Sequence, residues 1–556
     1  MPPSDHDHCH HHKAFFMNNR AALAVQIIAT GLILGVLGDA LLRVGPWGLN
    51  GLLWTFFLVI ATVVLAARNH LALDGRALWL IFPVMGLAAG FVWRDSEALK
   101  ALDFLAICAV LALSSGQARG ARLAAVGIAE AVWRLIIAGL NAAAGYIPLF
   151  LKRTDWPEHP TTGWARQARA VAVGTLLALP LVMVFGALFM SADAVFNHWV
   201  HRIVRFDLAK LVSHLIPTAV CAWIVGGFLQ GLLFFERDAD HPRPLRQFWS
   251  LGPVEIGVAF GLLNLLFLGF ILVQARYLFG GANMIEITPG LTYAEYARRG
   301  FFELVAVATL ALPVLLAADW LLGASSRRLF RLQSASMVLM LFAILASAFH
   351  RMQLYQAEFG WTQLRFYVDA FMAWLAFILL WVAATVLTGR RERFVIGVAV
   401  SGLLMLLALH VANPDAWIAR NNLAHARAGH TFDAKYAATL SADAAPVLAV
   451  ALPDLNPAAR EVLAKRLKRW SDGSRADWRL WSWSRAQARR AVEAQAREGE
   501  KVAATRPGSI SFFRIGGLRH RIQHPYPKMT RLMFSGSPQA TCVIMSPLSN
   551  LTSVFR

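Results

Sequence analysis

Residues 253–275 read PVEIGVAFGLLNLLFLGFILVQA, and this stretch decides the fold class. It contains a single charged residue, Glu255, in a run as long as the roughly 20 residues that a helix needs to cross a bilayer. Similar runs recur along a chain of 556 residues that is 57% hydrophobic and 15% charged, with a mean hydropathy of +0.51. A soluble protein would carry about a quarter charged residues. The sequence therefore predicts an all-α, polytopic transmembrane helix bundle.

The apolar runs predict about 11 spans, within a range of about 10 to 12. The predicted spans are residues 21–42, 50–67, 77–93, 101–117, 170–190, 211–235, 253–275, 301–322, 334–350, 366–387 and 394–412. The stretch 123–151 is ambiguous. It is apolar but carries Glu130 and Arg134 four residues apart, so it fits either an interfacial helix or a further span.

Changes in composition predict the domain organisation. The segments are a His-rich N-terminal tail (1–20), N-terminal transmembrane spans (21–118), a basic interfacial connection (119–169), the main transmembrane bundle (170–412), a helical soluble tail (413–500) and a disordered extension (501–556). In the soluble tail, Asn-Pro pairs at 413–414 and 456–457 predict helix starts, because Asn caps a helix and Pro suits its first position. A last helix is predicted from Trp478 to about Arg497, with Trp478 and Trp481 on one face.

The distribution of Lys and Arg predicts the orientation. Short connections on the side of the N-terminus carry more of these residues than those on the opposite side, so we expect a cytoplasmic N-terminus and a periplasmic tail in a bacterial inner membrane. The tail is itself basic, but long domains cross membranes largely regardless of charge. The net charge of +20 thus indicates loops that set topology and contact anionic lipid, rather than a nucleic-acid partner.

Two polar connections carry most of the chemistry. In 277–303, YLFGGANMIEITPGLTYAEYARRGFFE, Thr292 and Glu295 form a capping-box pattern, and Arg299 lies four residues from an acid on either side. In 350–369, Thr362 is predicted to cap a helix. The connections either share a functional site or are independent capped helix ends.

Acidic residues near span ends extend this set, because ionisable groups in a membrane usually face the bundle interior. The candidate ligand or ion site comprises Glu255, Tyr293, Glu295, Arg299, Glu303, Asp319, Arg351, Tyr355, Glu358 and Arg365. Weak candidate metal ligands are His6, His8, Cys9, His10, His11 and His12, since imidazoles on a flexible chain chelate zinc. We expect no cofactor and no catalytic residue. The sequence contains no phosphate-binding loop, dinucleotide fingerprint, HExxH or GxSxG motif.

Several stretches together resemble a bacterial integral-membrane family of unknown function, of the domain of unknown function 4173 / 4153 type. They are Glu255–Gly281, LTYAEYARRGFFEL from Leu291, RMQLYQAEFGWTQLRFY from Arg351, SADAVF from Ser191 and NPDAWIARNNL from Asn413. The resemblance covers about 170–495 and implies a multi-span inner-membrane protein with a helical C-terminal segment. It implies no activity.

Three functions stay open. The first is a non-enzymatic component of envelope assembly or signalling, whose tail binds anionic lipid or an envelope protein beside the lipid bilayer. The second is a permease or ion-coupled transporter that uses Glu255, Arg299, Glu303 and Asp319 along its path. The third, less favoured, is an enzyme that acts on a lipid-linked substrate at the two polar connections.

Overall fold

The computed structural model describes residues 5–69, 78–117, 128–145, 185, 189, 193, 208–233, 252–279, 301–322, 327–473 and 477–504. All regular secondary structure in this part of the chain is helical, which confirms the predicted all-α class. Two compact units divide the chain, Met1–Glu500 and Lys501–Arg556. In the second unit only 501–504, the end of a helix, are described.

Eleven helices precede residue 413 in the described part. They are α1 (Asp5–Leu42), α2 (Leu49–Arg68), α3 (Ile81–Trp93), α4 (Glu97–Gln117), α5 (Ile128–Ala144), α6 (Leu208–Leu233), α7 (Pro253–Phe279), α8 (Phe301–Leu321), α9 (Arg327–Phe359), α10 (Gln363–Thr385) and α11 (Glu392–Ala412).

Among the described residues, eight helices are long and apolar enough to cross a membrane. They are Ala22–Leu42, Leu49–Arg68, Lys210–Leu233, Pro253–Gln274, Phe301–Leu321, Arg328–Phe359, Gln363–Thr385 and Glu392–Ala412. Each corresponds to a predicted span. The predicted multi-span membrane fold is therefore confirmed, while the total number of spans stays a prediction.

The other predicted spans differ for identifiable reasons. Predicted span 77–93 corresponds to α3, which is a shorter apolar helix of 13 residues. Predicted span 101–117 lies within α4, whose first turns carry three charged residues, Glu97, Lys100 and Asp103. Predicted span 170–190 lies outside the described residues, apart from 185 and 189.

The helices pack in two groups that meet at α11. In the first group, α1 packs against α6 and α2. In turn, α2 packs against α3, and α3 packs against α4. Gly35 allows the close crossing of α1 and α6, because a Cβ there would lie 2.5 Å from the carbonyl oxygen of Thr218. The second group consists of α7 to α11 around a core that includes Leu315, Met337 and Leu379. Because α11 also contacts α3, α4 and α5, it joins the two groups.

The chain after residue 413 forms shorter helices, called the tail here. They are α12 (Pro414–Arg427), α13 (Ala434–Ala437), α14 (Ala445–Ala451), α15 (Pro457–Gly473) and α16 (Trp483–Ala504), with single 3₁₀ turns at Ala442–Ala444, Leu452–Asp454 and Trp478–Leu480. Their core includes Ile418, Leu440, Leu448 and Leu463, each with no exposed surface. Two partly buried residues of the bundle pack against the same core: Trp361 in the α9–α10 connection and Phe366 in the first turn of α10.

The structure confirms the predicted Asn caps at two helix starts of the tail. The Asn413 side chain accepts a hydrogen bond from the amide of Ala416 at 3.3 Å, and the Asn456 side chain accepts one from Ala459 at 2.8 Å. The predicted helix from Trp478 was wrong at its start, because a 3₁₀ turn ends at Leu480 and α16 begins at Trp483.

Two competing caps explain this break. Asp477 accepts a hydrogen bond from the amide of Arg479 at 2.9 Å, and Ser482 accepts one from the amide of Arg485 at 3.4 Å. Each cap begins a separate turn. Trp478 and Trp481 therefore do not share one continuous helix.

Candidate functional site

The tail contacts the bundle at the start of α2 and at the α3–α4 and α9–α10 connections. The amide of Leu49, at the start of α2, donates to the carbonyl oxygen of Trp481 at 3.0 Å. The α9–α10 connection is bound through Trp361, whose amide donates to the Asn422 side chain at 2.7 Å and whose carbonyl oxygen accepts from it at 2.9 Å. The α3–α4 connection, residues 94–96, lies at the same junction. The tail therefore docks on the bundle through side-chain and backbone hydrogen bonds.

Asp443 is the central side chain of this junction and is only 5% exposed. Its Oδ2 accepts hydrogen bonds from the amides of Asp95 at 2.7 Å and Ser96 at 3.1 Å. Its Oδ1 accepts from the Ser484 hydroxyl, and the Arg94 guanidinium lies 3.5 Å from that oxygen. Since Ser96 immediately precedes α4, the carboxylate sits at the positive end of that helix, where amides have no partner within the helix.

A second acid, Asp95, joins cations from the bundle and the tail. Its Oδ1 accepts from Lys100 Nζ at 2.7 Å and lies 2.8 Å from the Arg485 guanidinium. The side chains of all three residues are nearly buried. Desolvation by burial lowers the pKa of Lys100, although Asp95 opposes that shift. A buried acid with two cations stabilises the junction only while all three groups are present, because removing one leaves an uncompensated buried charge.

Polar contacts continue from the junction into the bundle. Arg94 Nε donates to the carbonyl oxygen of His410, at the end of α11, at 2.8 Å. His410 Nε2 lies 3.2 Å from Asp103 Oδ2, and Asp103 is fully buried. No hydrogen bond reaches Asp103 from the described residues, so this pair is a close contact rather than a well-aligned hydrogen bond. Gly90 makes room for it, because a Cβ there would lie 2.6 Å from both Asp103 Oδ2 and His410 Nε2.

Asp415 forms a further link between the tail and α10. Its Oδ1 accepts from Gln363 Nε2 at 2.7 Å, and its Oδ2 accepts from the amide of Ser441 at 3.0 Å. Burial raises the pKa of Asp415 above its usual range, while the hydrogen bonds from Ser441 and Gln363 act in the opposite direction. The tail is thus fixed to the bundle by two buried carboxylates, Asp415 and Asp443.

A cleft of about 340 Å³ opens at this junction and is called the arginine cleft here. Arg466 and Arg469 of α15 and Arg485 of α16 line it, together with the acids Asp95 and Glu97. Its volume lies in the range of small-molecule sites. Another cavity, of about 70 Å³, lies between α2, α3, α4 and α6 and is almost wholly apolar.

None of the predicted site residues that the structure describes lines either cavity. Tyr293, Glu295 and Arg299 lie outside the described residues, so a site shared by the two polar connections stays a prediction. Glu255 and Glu303 are exposed in the first turns of α7 and α8.

The remaining predicted residues have separate partners. Asp319 is buried and forms an ion pair with Arg391, which precedes α11. Arg351 is buried and donates to Gln274 Oε1 at 2.8 Å. The Arg365 guanidinium stacks over the Tyr355 ring at 4.0 Å, whereas Glu358 is exposed.

For the histidine-rich tract, the structure describes the backbone of α1 but no side chains before residue 22. His6, His8, Cys9, His10, His11 and His12 therefore lie outside the described side chains. In the part with described side chains, no three His, Cys, Asp or Glu residues form a metal-binding group.

The junction residues were missed from sequence, although two signals mark them. The stretch RDSEALKALD, residues 94–103, places five charged residues between two apolar runs. The tetrapeptide Ser-Ala-Asp-Ala occurs at both 191–194 and 441–444. Neither signal indicates that Asp95 and Asp443 meet, because 348 residues separate them.

Residues 81–451 match a family described as a domain of unknown function, DUF4153. The chain belongs to the DUF4153 family. The DUF4153 match confirms the resemblance predicted above and begins nearer the N-terminus than the stretches that carried it. It contains Asp95, Asp415 and Asp443, whereas the three cleft arginines follow its end at residue 451. No curated protein and no solved structure matches this DUF4153 chain.

Proposed function

We propose that this DUF4153 protein is a non-enzymatic signalling component of the bacterial envelope, a multi-pass protein of the inner membrane with a periplasmic tail. The observation that carries the proposal is the burial of Asp443 at the start of α4. Its carboxylate holds two backbone amides of the bundle, at 2.7 and 3.1 Å. Because the tail and α4 share these bonds, a displacement of the tail either moves α4 or breaks the bonds. This linkage provides a physical route between the envelope side and the membrane.

The tail also has a surface suited to a partner. Trp478, Trp481 and Trp483 are 64%, 44% and 43% exposed and lie within six residues of one another. Exposed tryptophans are common at protein interfaces and at the headgroup level of membranes. An envelope protein or anionic lipid bound there would act on the same short segment that supplies Ser484 and Arg485 to the junction.

Complementation in the source bacterium tests the proposal. A deletion strain would receive the wild-type chain, Asp443→Asn, Ser484→Ala or the control Asp454→Asn. Asp454 is a matched acid on the tail surface, with a side chain 72% exposed. We expect the control to restore the envelope phenotype, Ser484→Ala to restore it in part, and Asp443→Asn to fail although it inserts and accumulates. Full restoration by an inserted Asp443→Asn chain would overturn the proposal.

A proton-coupled permease is the second candidate, because Asp103 and His410 form a buried acid–imidazole pair at 3.2 Å. Histidine changes charge near physiological pH, and buried ionisable pairs in membrane bundles often carry protons. The acids proposed from sequence for such a path, Glu255, Glu303 and Asp319, do not contact this pair. This candidate is tested in proteoliposomes with an imposed pH gradient. Proton flux that Asp103→Asn abolishes would favour it, and no flux in the wild type would reject it.

A further inference from the structure

The arginine cleft carries more positive than negative charge. Asp95 is shared by Lys100 and Arg485, so this group of three has one uncompensated positive charge. The two positive charges of Arg466 and Arg469 are opposed by one remaining acid, Glu97. This second group therefore also has one uncompensated positive charge.

The side chains on this wall have unused hydrogen-bonding capacity. Arg466 Nε is buried and has no hydrogen-bond partner among the described residues. Its guanidinium stacks over the Trp470 ring, 4.8 Å from the centroid, which leaves its N–H edge available. Among the residues that the structure describes, Arg469 and Glu97 also form no hydrogen bond or ion pair. An arginine with unpaired N–H groups in a half-enclosed cleft is a donor set for an anion.

We infer that the arginine cleft binds a phosphate monoester, either as a soluble metabolite or as the headgroup of a lipid. A phosphate monoester carries about −1.5 to −2 charges at pH 7, which balances the two uncompensated positive charges, whereas a single carboxylate or phosphodiester does not. Arg466 and Arg469, three residues apart, present their guanidinium groups from adjacent turns of α15, and Arg485 adds a third from α16. Guanidinium groups match phosphate oxygens in charge and in geometry. This inference rests on the proposed function in one respect: it names the ligand that would occupy the junction through which the tail acts on the bundle.

Binding by the purified full chain in nanodiscs of neutral phosphatidylcholine tests the inference. Titration calorimetry with glycerol 3-phosphate measures the soluble arm. Native mass spectrometry after addition of phosphatidic acid, with phosphatidylglycerol as the diester comparison, measures the lipid arm. Binding in one arm alone identifies the source of the phosphate, and the absence of binding in both arms overturns the inference.

Three variants locate the site. Arg469→Gln removes an exposed cleft arginine that has no internal partner to lose, so the fold is unaffected. We expect the dissociation constant to rise about 10- to 100-fold, as for the loss of a charge-assisted hydrogen bond. Lys468→Gln, with the same charge change at the neighbouring exposed position outside the cleft, should leave binding unchanged. Glu97→Gln removes the opposing acid and should tighten binding. Equal losses in Arg469→Gln and Lys468→Gln would show attraction to general surface charge and overturn the inference.

The two proposals fail separately. If the wild-type chain binds no phosphate monoester but Asp443→Asn still fails in complementation, the ligand is wrong and the coupling stands. If Arg469→Gln loses binding while Asp443→Asn complements fully, the ligand stands and the signalling function falls.

Discussion

The carboxylate of Asp443 accepts a hydrogen bond from the backbone amide of Asp95 at 2.7 Å, although 348 residues separate the two in the chain. The same oxygen holds the amide of Ser96, and the other oxygen contacts Ser484 and Arg94. One side chain of the tail therefore replaces the water that would otherwise solvate the start of α4.

Loss of this carboxylate is expected to be costly. Asp443→Ala should lower the free energy of unfolding by about 3 to 5 kcal/mol, because it leaves Arg94 and two amides buried without their acceptor. Thermal unfolding in detergent measures the loss, and hydrogen exchange at residues 94–96 locates it. Asp454→Ala, at the exposed control position, should change stability by less than about 1 kcal/mol. Equal effects of the two substitutions would contradict the assignment.

Asp415 should make stability depend on pH. Burial raises its folded-state pKa above the ordinary value of 3.8, so the folded chain binds this proton more tightly than the unfolded chain. Its contribution to stability is full below the unfolded pKa and is lost as the pH rises through the folded pKa.

Asp415→Asn keeps an acceptor for only one of the two donors, Gln363 and Ser441, and it cannot ionise. The midpoint of unfolding of the wild type should therefore fall relative to that of Asp415→Asn as the pH rises from about 4 through the folded pKa. Parallel curves for the two chains would show that Asp415 does not titrate in this way.

Two glycines of α3 provide a matched pair. A Cβ at Gly90 would meet the Asp103–His410 pair at 2.6 Å, whereas a Cβ at Gly86, one turn earlier, meets nothing within 4 Å. Gly90→Ala should destabilise the chain by about 1 to 3 kcal/mol through overpacking. Gly86→Ala should be neutral or stabilise by up to about 1 kcal/mol, because alanine favours the helix. Thermal unfolding of both variants checks the contrast, and a neutral Gly90→Ala would refute the close packing.

Aromatic packing also fixes the tail to the bundle. The rings of Trp361 and Trp417 meet edge to face with centroids 4.3 Å apart, and Phe366 lies 5.3 Å from Trp417. Trp417→Ala should cost about 3 kcal/mol, near the low end for a large aromatic because Trp417 is only partly buried. Trp478→Ala, at a position 64% exposed, should cost less than about 1 kcal/mol. The measurement is unfolding monitored by circular dichroism, and a comparable loss at Trp478 would point to a contact outside the tail core.

Local signals predicted helix ends well but not their partners. Asp415 follows an Asn-Pro pair, and its position alone indicates an acid that favours the first turn of α12. In the structure its oxygens are held by Gln363 and Ser441, from other segments. Similarly, Thr362 caps α10 through the amide of Arg365 as predicted. A cap is decided within four residues of chain, whereas a partner is decided by packing.

The candidate site shows the same division. The residues singled out from sequence were dense polar groups beside apolar runs, and this pattern marks where helices leave the membrane. Arg351 and Asp319 proved to be buried with separate partners, and neither lines the arginine cleft. The cleft combines residues from the α3–α4 connection, α15 and α16, none of which is unusual by itself.

The sequence by itself determined that this chain is a bundle of membrane-spanning helices. The length and polarity of each apolar run are local properties, and a bilayer accepts such runs only as helices whose backbone groups are satisfied internally. Only the tertiary structure decided that Asp443 binds the start of α4 and that Arg466, Arg469 and Arg485 share a cleft. Those contacts depend on how separate helices pack, and an electrostatic interaction follows the distance between groups in space rather than along the chain.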